Sequence, residues 1–241
     1  MSGYLTQLSG DIRRAAPEPA RGFAEALTAG ADITVVAEIK RASPSQGSIA
    51  PAADVAETAR AYATGGAAAM SVLCAERDFA GSLADLTAAR RAAEIPALAK
   101  DFTVFTEQVA AQRLAGADAI LVILALVSDD EARRLLQAAE LLGMDALVEA
   151  HSAAEVERAL GLDARVVGVN ARDLDSLAID RDRQLELVAS IPRTVVRVAE
   201  SGIGSRADVE AAREAGADAV LVGTALMRQP QLLAELAGVP R

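Results

Sequence analysis

Tryptophan is absent from the 241 residues, cysteine and histidine occur once each, and aromatic residues make up only 2%. Each scarcity closes off a class of protein. A single cysteine, Cys74, excludes an internal disulfide and a cysteine-rich metal site. A single histidine, His151, leaves little for a His-based metal centre or a His general base, so no metal is expected. His151 reads as a loop residue with local hydrogen bonds, and Cys74 as a packing residue rather than a nucleophile. With so few aromatics, a core that is 52% hydrophobic in composition must be built from many thin layers of Ala, Val, Leu and Ile. No apolar run approaches the ~18 residues of a membrane span. The N-terminal segment, with Asp11, Arg13 and Arg14, lacks a secretory pattern. The expectation is a soluble, cytoplasmic protein with no membrane partner. A formal net charge of -10 argues against nucleic acid, whose binding needs a cationic surface. An anionic small ligand would need cations gathered locally. Lysine is the most telling scarcity: Lys40 and Lys100 are the only two among 24 basic residues.

What is present is rhythm. Residues 1–32 read as helical with a break, punctuated by Gly10-Asp11 and Pro17-Glu18-Pro19, and Arg21 to Thr28 as a short amphipathic helix. From Ile33 a β-branched run, a turn and an Ala/Arg/Glu-rich helical stretch alternate. Ala115-Gly116-Ala117-Asp118-Ala119-Ile120-Leu121-Val122 returns as Ala215-Gly216-Ala217-Asp218-Ala219-Val220-Leu221-Val222, an offset of 216 − 116 = 100 residues. Weaker echoes begin at Gly65-Gly66 and at Gly161-Leu162. Each copy predicts a helix ending on glycine, a tight turn and a buried strand. Strands are predicted at Ile33–Ile39, Ala68–Leu73, Ala97–Lys100, Ala119–Ile123, Ala146–Glu149, Val166–Val169, Val195–Ala199 and Ala219–Val222. Eight parallel strands with intervening helices, repeating about every 25 residues, predict an α/β fold of the (β/α)8 barrel type. An open doubly wound sheet would more often carry a Gly-rich dinucleotide turn after its first strand, and none is present. Residues 1–241 are read as one barrel domain, with 1–32 as an N-terminal helical extension.

A barrel keeps its chemistry at the C-terminal ends of its strands. Those positions hold Glu38 and Lys40, Lys100 and Asp101, Glu149, Asn170 and Arg172, Glu200 with Ser201-Gly202, and Gly223-Thr224. Glu38 and Lys40 are two apart, so on a strand they share a face, where charge is costly unless a pocket uses it. An arginine-rich chain that keeps lysine at two strand ends points to proton chemistry, because arginine holds its proton and a buried lysine can shift its pKa. Glu38, Glu149 and Glu200 converge on one mouth as partners of the lysines or as proton carriers. The glycine turns after strands 7 and 8 suit a phosphate, whose oxygens backbone N–H groups can approach closely. Ser43-Pro44-Ser45 reads as a rigid turn, or as hydroxyls beside Lys40 for that phosphate.

At these residues the chain closely resembles the indole-3-glycerol phosphate synthase family. The matching motifs run in order: Ala37-Glu38-Ile39-Lys40-Arg41-Ala42-Ser43-Pro44-Ser45, Lys100-Asp101-Phe102, Leu147-Val148-Glu149, Gly168 to Leu174, Ala199-Glu200-Ser201-Gly202-Ile203 and Leu221-Val222-Gly223. The resemblance implies closure of the indole ring of 1-(2-carboxyphenylamino)-1-deoxyribulose 5-phosphate in tryptophan biosynthesis, with loss of CO2 and water and no cofactor. It implies Lys100 as general acid and Lys40 as the carboxylate binder, with the two roles open to exchange. It implies Glu149 in dehydration, Glu38 as an orienting group or base, and Asn170, Arg172, Glu200 and Ser201 shaping the site. Gly202, Gly223 and Thr224, with Ser43, would hold the phosphate, and Phe79 and Phe102 the aromatic ring. The only partner expected is that phosphorylated small molecule; the sequence leaves the oligomeric state open and is compatible with a monomer. Cys74-Ala75 stands where the family usually has Thr followed by an acidic residue, Ala99 where many members carry Arg, and Gln46 in place of a frequent basic residue. The N-terminal segment is also shorter than in many members, which predicts a reduced lid. These departures keep two alternatives in play, a paralogue for a substituted anthranilate-derived substrate and a barrel that binds a phosphate ligand without catalysis; independently of them, a Schiff-base aldolase using Lys100 is a third.

Overall fold

The computed structural model describes residues 2–16 and 18–238. Eight parallel strands close into a barrel: β1 (Thr34–Ile39), β2 (Ala69–Leu73), β3 (Ala97–Lys100), β4 (Ala119–Ile123), β5 (Asp145–Ala150), β6 (Val166–Asn170), β7 (Val196–Glu200) and β8 (Ala219–Val222). Each pairs with its sequence neighbours, and β8 returns to β1 in the register Val35↔Val220. The chain is therefore a (β/α)8 barrel. Every predicted strand is present, with ends displaced by one residue at most.

The helices are α1 (Ser2–Ala15), α2 (Phe23–Thr28), α3 (Val55–Thr64), α4 (Glu76–Phe79), α5 (Leu83–Ala92) and α6 (Thr106–Leu114). They continue as α7 (Asp129–Leu141), α8 (Ala153–Gly161), α9 (Arg181–Ser190), α10 (Arg206–Glu214), α11 (Thr224–Arg228) and α12 (Leu232–Leu236). None of the described helices is long and apolar enough to cross a membrane. A short antiparallel ladder, Ala42–Ser43 with Gly47–Ser48, folds the loop after β1.

Side-chain alternation along the strands divides the core in two. Val35, Ala37 and Ile39 of β1 face the helices, in one cluster with Tyr62 and Leu226. Val36, Leu98, Leu121, Leu147, Val166, Val198 and Leu221 pack inside the barrel. The inward set of several strands thus runs from an apolar residue to a polar one: Val36 to Glu38, Leu98 to Lys100, Leu147 to Glu149, Val198 to Glu200. Phe23 and Leu27 of α2 join the interior cluster and plug the N-terminal end. The plug is tied down where the main-chain N–H groups of Phe23 and Ala24 both donate to Asp145 Oδ2 at 3.0 Å.

The 100-residue repeat has a structural basis. Asp118 Oδ2 accepts the N–H of Ala97 at 2.8 Å, and Asp218 Oδ2 accepts that of Arg197 at 2.9 Å. The residues bound are again 197 − 97 = 100 apart. In both copies the helix ends with glycine at positive φ, 101° at Gly116 and 95° at Gly216. The next N–H then reaches back five residues, Ala117 to Gln112 and Ala217 to Ala212, each at 2.9 Å. The echo at Gly161 also follows its prediction, with a helix ending on glycine before a turn and a buried strand, but its left-handed residue is not the glycine. Gly161 is the last residue of α8, and the left-handed position falls on Asp163 at φ 56°. An aspartate tolerates that conformation better than most side chains do. Charged residues on helices are also not all solvated. Arg90 on α5 is buried in ion pairs with Asp118 and Glu18, and Arg113 on α6 is buried as well.

Candidate active site

A cavity of about 810 Å³ opens at the C-terminal ends of the strands. Glu38, Lys40, Ser43, Phe79, Lys100, Phe102, Glu149, Asn170, Arg172, Glu200, Ser201, Gly202, Gly223 and Thr224 all line it. Among the described residues, none before Glu38 does. Among the described residues, no group of three or more His, Cys, Asp or Glu side chains is placed to hold a metal ion.

Two lysine–glutamate clusters face this space. Lys40 Nζ lies 2.7 Å from Glu38 Oε1. Lys100 Nζ lies 2.6 Å from Glu149 Oε2 and 3.0 Å from Glu200 Oε2. Asn170 Nδ2 donates to Glu149 Oε1 at 3.1 Å, while Asn170 Oδ1 accepts the N–H of Arg172. Burial pulls the Lys100 pKa down, but Glu149, Glu200 and Glu38 together outweigh it and hold the ammonium above the usual lysine range. Burial would raise Glu149; Lys100 and then His151 reverse this and hold it below the usual carboxylate range. Burial is the largest influence on Glu200 and raises it. Lys100 pulls it back, the Glu149 carboxylate adds to the rise, and the result is pushed up to about 8. One lysine between two carboxylates therefore leaves one acid ionised and the other proton-hungry.

Two glycines make room for these carboxylates. A Cβ on Gly168 would lie 2.0 Å from Glu200 Oε1, and one on Gly223 would lie 2.2 Å from Glu38 Oε1. After β7, Ser201 and Gly202 both take positive φ, 68° and 72°. That turn is braced by Arg181, whose Nη1 donates to Gly202 O at 2.8 Å. At the opposite wall, the Phe79 and Phe102 ring centroids are 6.2 Å apart and tilted by 50°. Arg172 lines the cavity while its Nη1 donates to Leu177 O at 2.9 Å, so part of its guanidinium is committed to the loop after β6. Ser43 Oγ accepts the N–H of Gln46 at 3.2 Å.

Cys74 packs with the outer cluster, and burial holds its thiol well above the usual range. It is a packing residue, as expected; Ala75 beside it lines the cavity. Sequence reasoning did not find three features of the site. The apolar wall of Leu121, Ile123 and Leu221 was accessible from strand alternation, since these residues share the inward parity of Ala119 and Ala219. Arg228 also lines the cavity, and its Nη2 donates to Gln46 Oε1 at 3.0 Å. That contact joins residues 182 positions apart and leaves no local trace. The third is His151, whose Nε2 lies 3.2 Å from Glu149 Oε1.

A closed barrel whose strand ends carry two charged lysines, three buried glutamates and a pair of glycine turns defines a cavity-bearing (β/α)8 enzyme. The sequence pattern of the family described as "Indole-3-glycerol phosphate synthase" matches residues 4–238. A relative of that name from Micrococcus luteus is 50% identical over 222 residues, covering 90% of this chain and 82% of its own. Another from Mycolicibacterium vanbaalenii is 50% identical over 212 residues, covering 88% and 77%. The chain belongs to the indole-3-glycerol phosphate synthase family. In fold alone it also resembles a thiamine phosphate pyrophosphorylase from Pyrococcus furiosus, with a TM-score of 0.62, 16% identity, and coverage of 89% and 96% of the two chains.

Proposed function

We propose that this protein converts 1-(2-carboxyphenylamino)-1-deoxyribulose 5-phosphate to indole-3-glycerol phosphate, CO2 and water, as one barrel domain with residues 1–32 as its extension. The observation that carries the reading is Lys100 seated between Glu149 and Glu200 at 2.6 and 3.0 Å. The ring carbon bearing the carboxylate attacks the ketone carbon, and Lys100 donates its proton to the departing carbonyl oxygen, making a hydroxyl. The carbon–carboxylate bond then breaks, CO2 leaves, and its electron pair restores the aromatic ring. The hydroxyl departs as water under protonation, and loss of a proton from the neighbouring carbon completes the indole. Glu149, fixed by Asn170, serves this dehydration, and Glu200 keeps Lys100 charged.

Lys40, oriented by Glu38, holds the substrate carboxylate, and Phe79 with Phe102 flanks the aromatic ring. The N–H groups of Gly202, Gly223 and Thr224 hold the phosphate, with the Ser43 hydroxyl and the Arg228 guanidinium, all from residues that line the cavity, while Ser201 and Arg172 shape the site. A substrate bearing phosphate and carboxylate charges does not cross membranes unaided, which supports a cytoplasmic location. The Schiff-base alternative requires a neutral amine, whereas both neighbours of Lys100 hold it protonated.

The test is purified protein with the unsubstituted substrate, read as the appearance of indole fluorescence. No turnover, with tight binding of the substrate, would favour the non-catalytic barrel. One observation favours a second reading. Ala75 lines the cavity where the family usually carries an acidic side chain, which adds room at the ring-binding end. A kcat/KM higher for a ring-substituted substrate than for the unsubstituted one would establish it.

A further inference from the structure

The reaction proposed above, on which this inference rests, does not balance in protons within the site. The carboxylate arrives ionised and leaves as CO2, and the hydroxyl leaves as water. Ring closure and dehydration each take up one proton, and the final step returns one. Each turnover therefore draws one proton from solvent, while bound substrate fills the cavity above Lys100.

A second connection reaches Lys100 from behind the cavity. His151 is the first residue after β5 and does not line the cavity. Its Nε2 lies 3.2 Å from Glu149 Oε1, on the oxygen opposite the one that meets Lys100. Its Nδ1 lies 3.4 Å from Glu155 Oε2. Side-chain exposure rises outward along this chain, from 2% at Glu149 through 12% at His151 to 18% at Glu155. Each ring nitrogen therefore faces a carboxylate, one buried and one nearer the surface, which is the placement a proton carrier needs. We propose that His151 is a proton relay that acts through Glu149, bringing one proton per turnover from Glu155 at the surface to Lys100.

In the recharging step, Glu149 passes a proton from Oε2 to Lys100 Nζ. The imidazolium gives its Nε2 proton to Glu149 Oε1 and keeps the one on Nδ1; the ring then turns so that the bare Nε2 takes a proton from Glu155, which is refilled by water. Ordinary helix capping explains part of this geometry. Ser152 Oγ caps α8 through Glu155 N at 3.2 Å, and Glu155 Oε2 accepts the His151 N–H at 2.7 Å. Capping does not require an imidazole against the buried Glu149. Glu149 on β5 and Glu155 on α8 are the charged groups that govern this ring. Burial lowers its pKa, and the two carboxylates more than offset that, holding it above the usual histidine value.

The relay has a signature that a structural histidine lacks. His151→Asn should lower kcat about tenfold or more with KM little changed, and added imidazole should restore it saturably. Wild-type rates should not respond to imidazole. Glu155→Gln keeps an acceptor for the His151 N–H, and should move the alkaline fall of kcat to lower pH. Because the chain has one histidine, its ring proton NMR signal titrates without assignment. That titration should lie above the ordinary value of about 6.5 and drop in Glu155→Gln. Wild-type kcat in His151→Asn, or a loss that imidazole does not restore in a normally folded variant, would overturn the relay. So would a histidine titration that Glu155→Gln leaves unmoved. If the wild-type protein turns over no substrate, the functional reading fails instead, and the NMR titration still decides whether the three groups share a proton.

Discussion

Gly168 is the residue on which the position of Glu200 depends. A methyl there would sit 2.0 Å from Glu200 Oε1 and 3.1 Å from Leu147 Cδ1. Gly168→Ala must therefore push the carboxylate away from Lys100. The expected result is a fall in kcat of about 10²-fold, the usual effect of misplacing a catalytic group by ~1 Å. A loss of about 1–3 kcal/mol in urea unfolding should accompany it, from overpacking. A variant with unchanged kcat would show that Glu200 is not needed where it stands. At this scale much of the site was legible before the structure. Strand parity and the shortage of lysine singled out Glu38, Lys40, Lys100, Glu149 and Glu200. The division of labour among the glutamates was not legible, because it rests on tenths of an ångström and on which neighbours each oxygen meets. Glu149 has Asn170 and His151 on its second oxygen, whereas Glu200 is pushed up by burial and the adjacent carboxylate.

Among the elements, α2 separates stability from chemistry. Phe23 is fully buried in the barrel interior, at the end away from the cavity. Phe23→Ala should cost about 3–5 kcal/mol in denaturant unfolding and leave kcat/KM nearly unchanged in the fraction that stays folded. A matching loss of kcat/KM would mean that the plug shapes the mouth from below. The strands were legible because those of a parallel barrel are buried on both faces and read as unbroken apolar runs between turns. The short helices α4, α11 and α12 were not, since four or five residues carry no periodicity. The left-handed residue Asp163 escaped for a related reason: the echo of the repeat marked the helix end at Gly161, and nothing local signalled the turn two residues later.

Across the whole molecule, buried charge lies at both ends of the barrel with different consequences. At the base, Arg90 and Asp118 are matched. At the mouth, Lys100 meets two glutamates, of which burial leaves Glu200 holding its proton up to about 8, an unmatched arrangement that favours chemistry over stability. Burial and the Glu149 carboxylate push Glu200 up to about 8 in the folded protein, from an ordinary glutamate value of about 4.5. Its folded form therefore holds a proton more tightly than the unfolded chain does. The stability this gives is fully present below the unfolded value and is lost as pH rises towards about 8. Glu200→Gln should accordingly be more stable than wild type by about 0.5–2 kcal/mol near the upper end of that window, with the advantage vanishing at its lower end and activity reduced. Urea midpoints across that range check the sign. The central claim is that Lys100 acts by giving up a proton and not by its charge alone. Its most direct test is kcat of Lys100→Arg beside wild type, with substrate affinity measured separately. Arginine keeps the charge and cannot release its proton, so kcat should fall by about 10²–10⁴-fold while substrate still binds. Retention of near-wild-type kcat by Lys100→Arg would contradict the account.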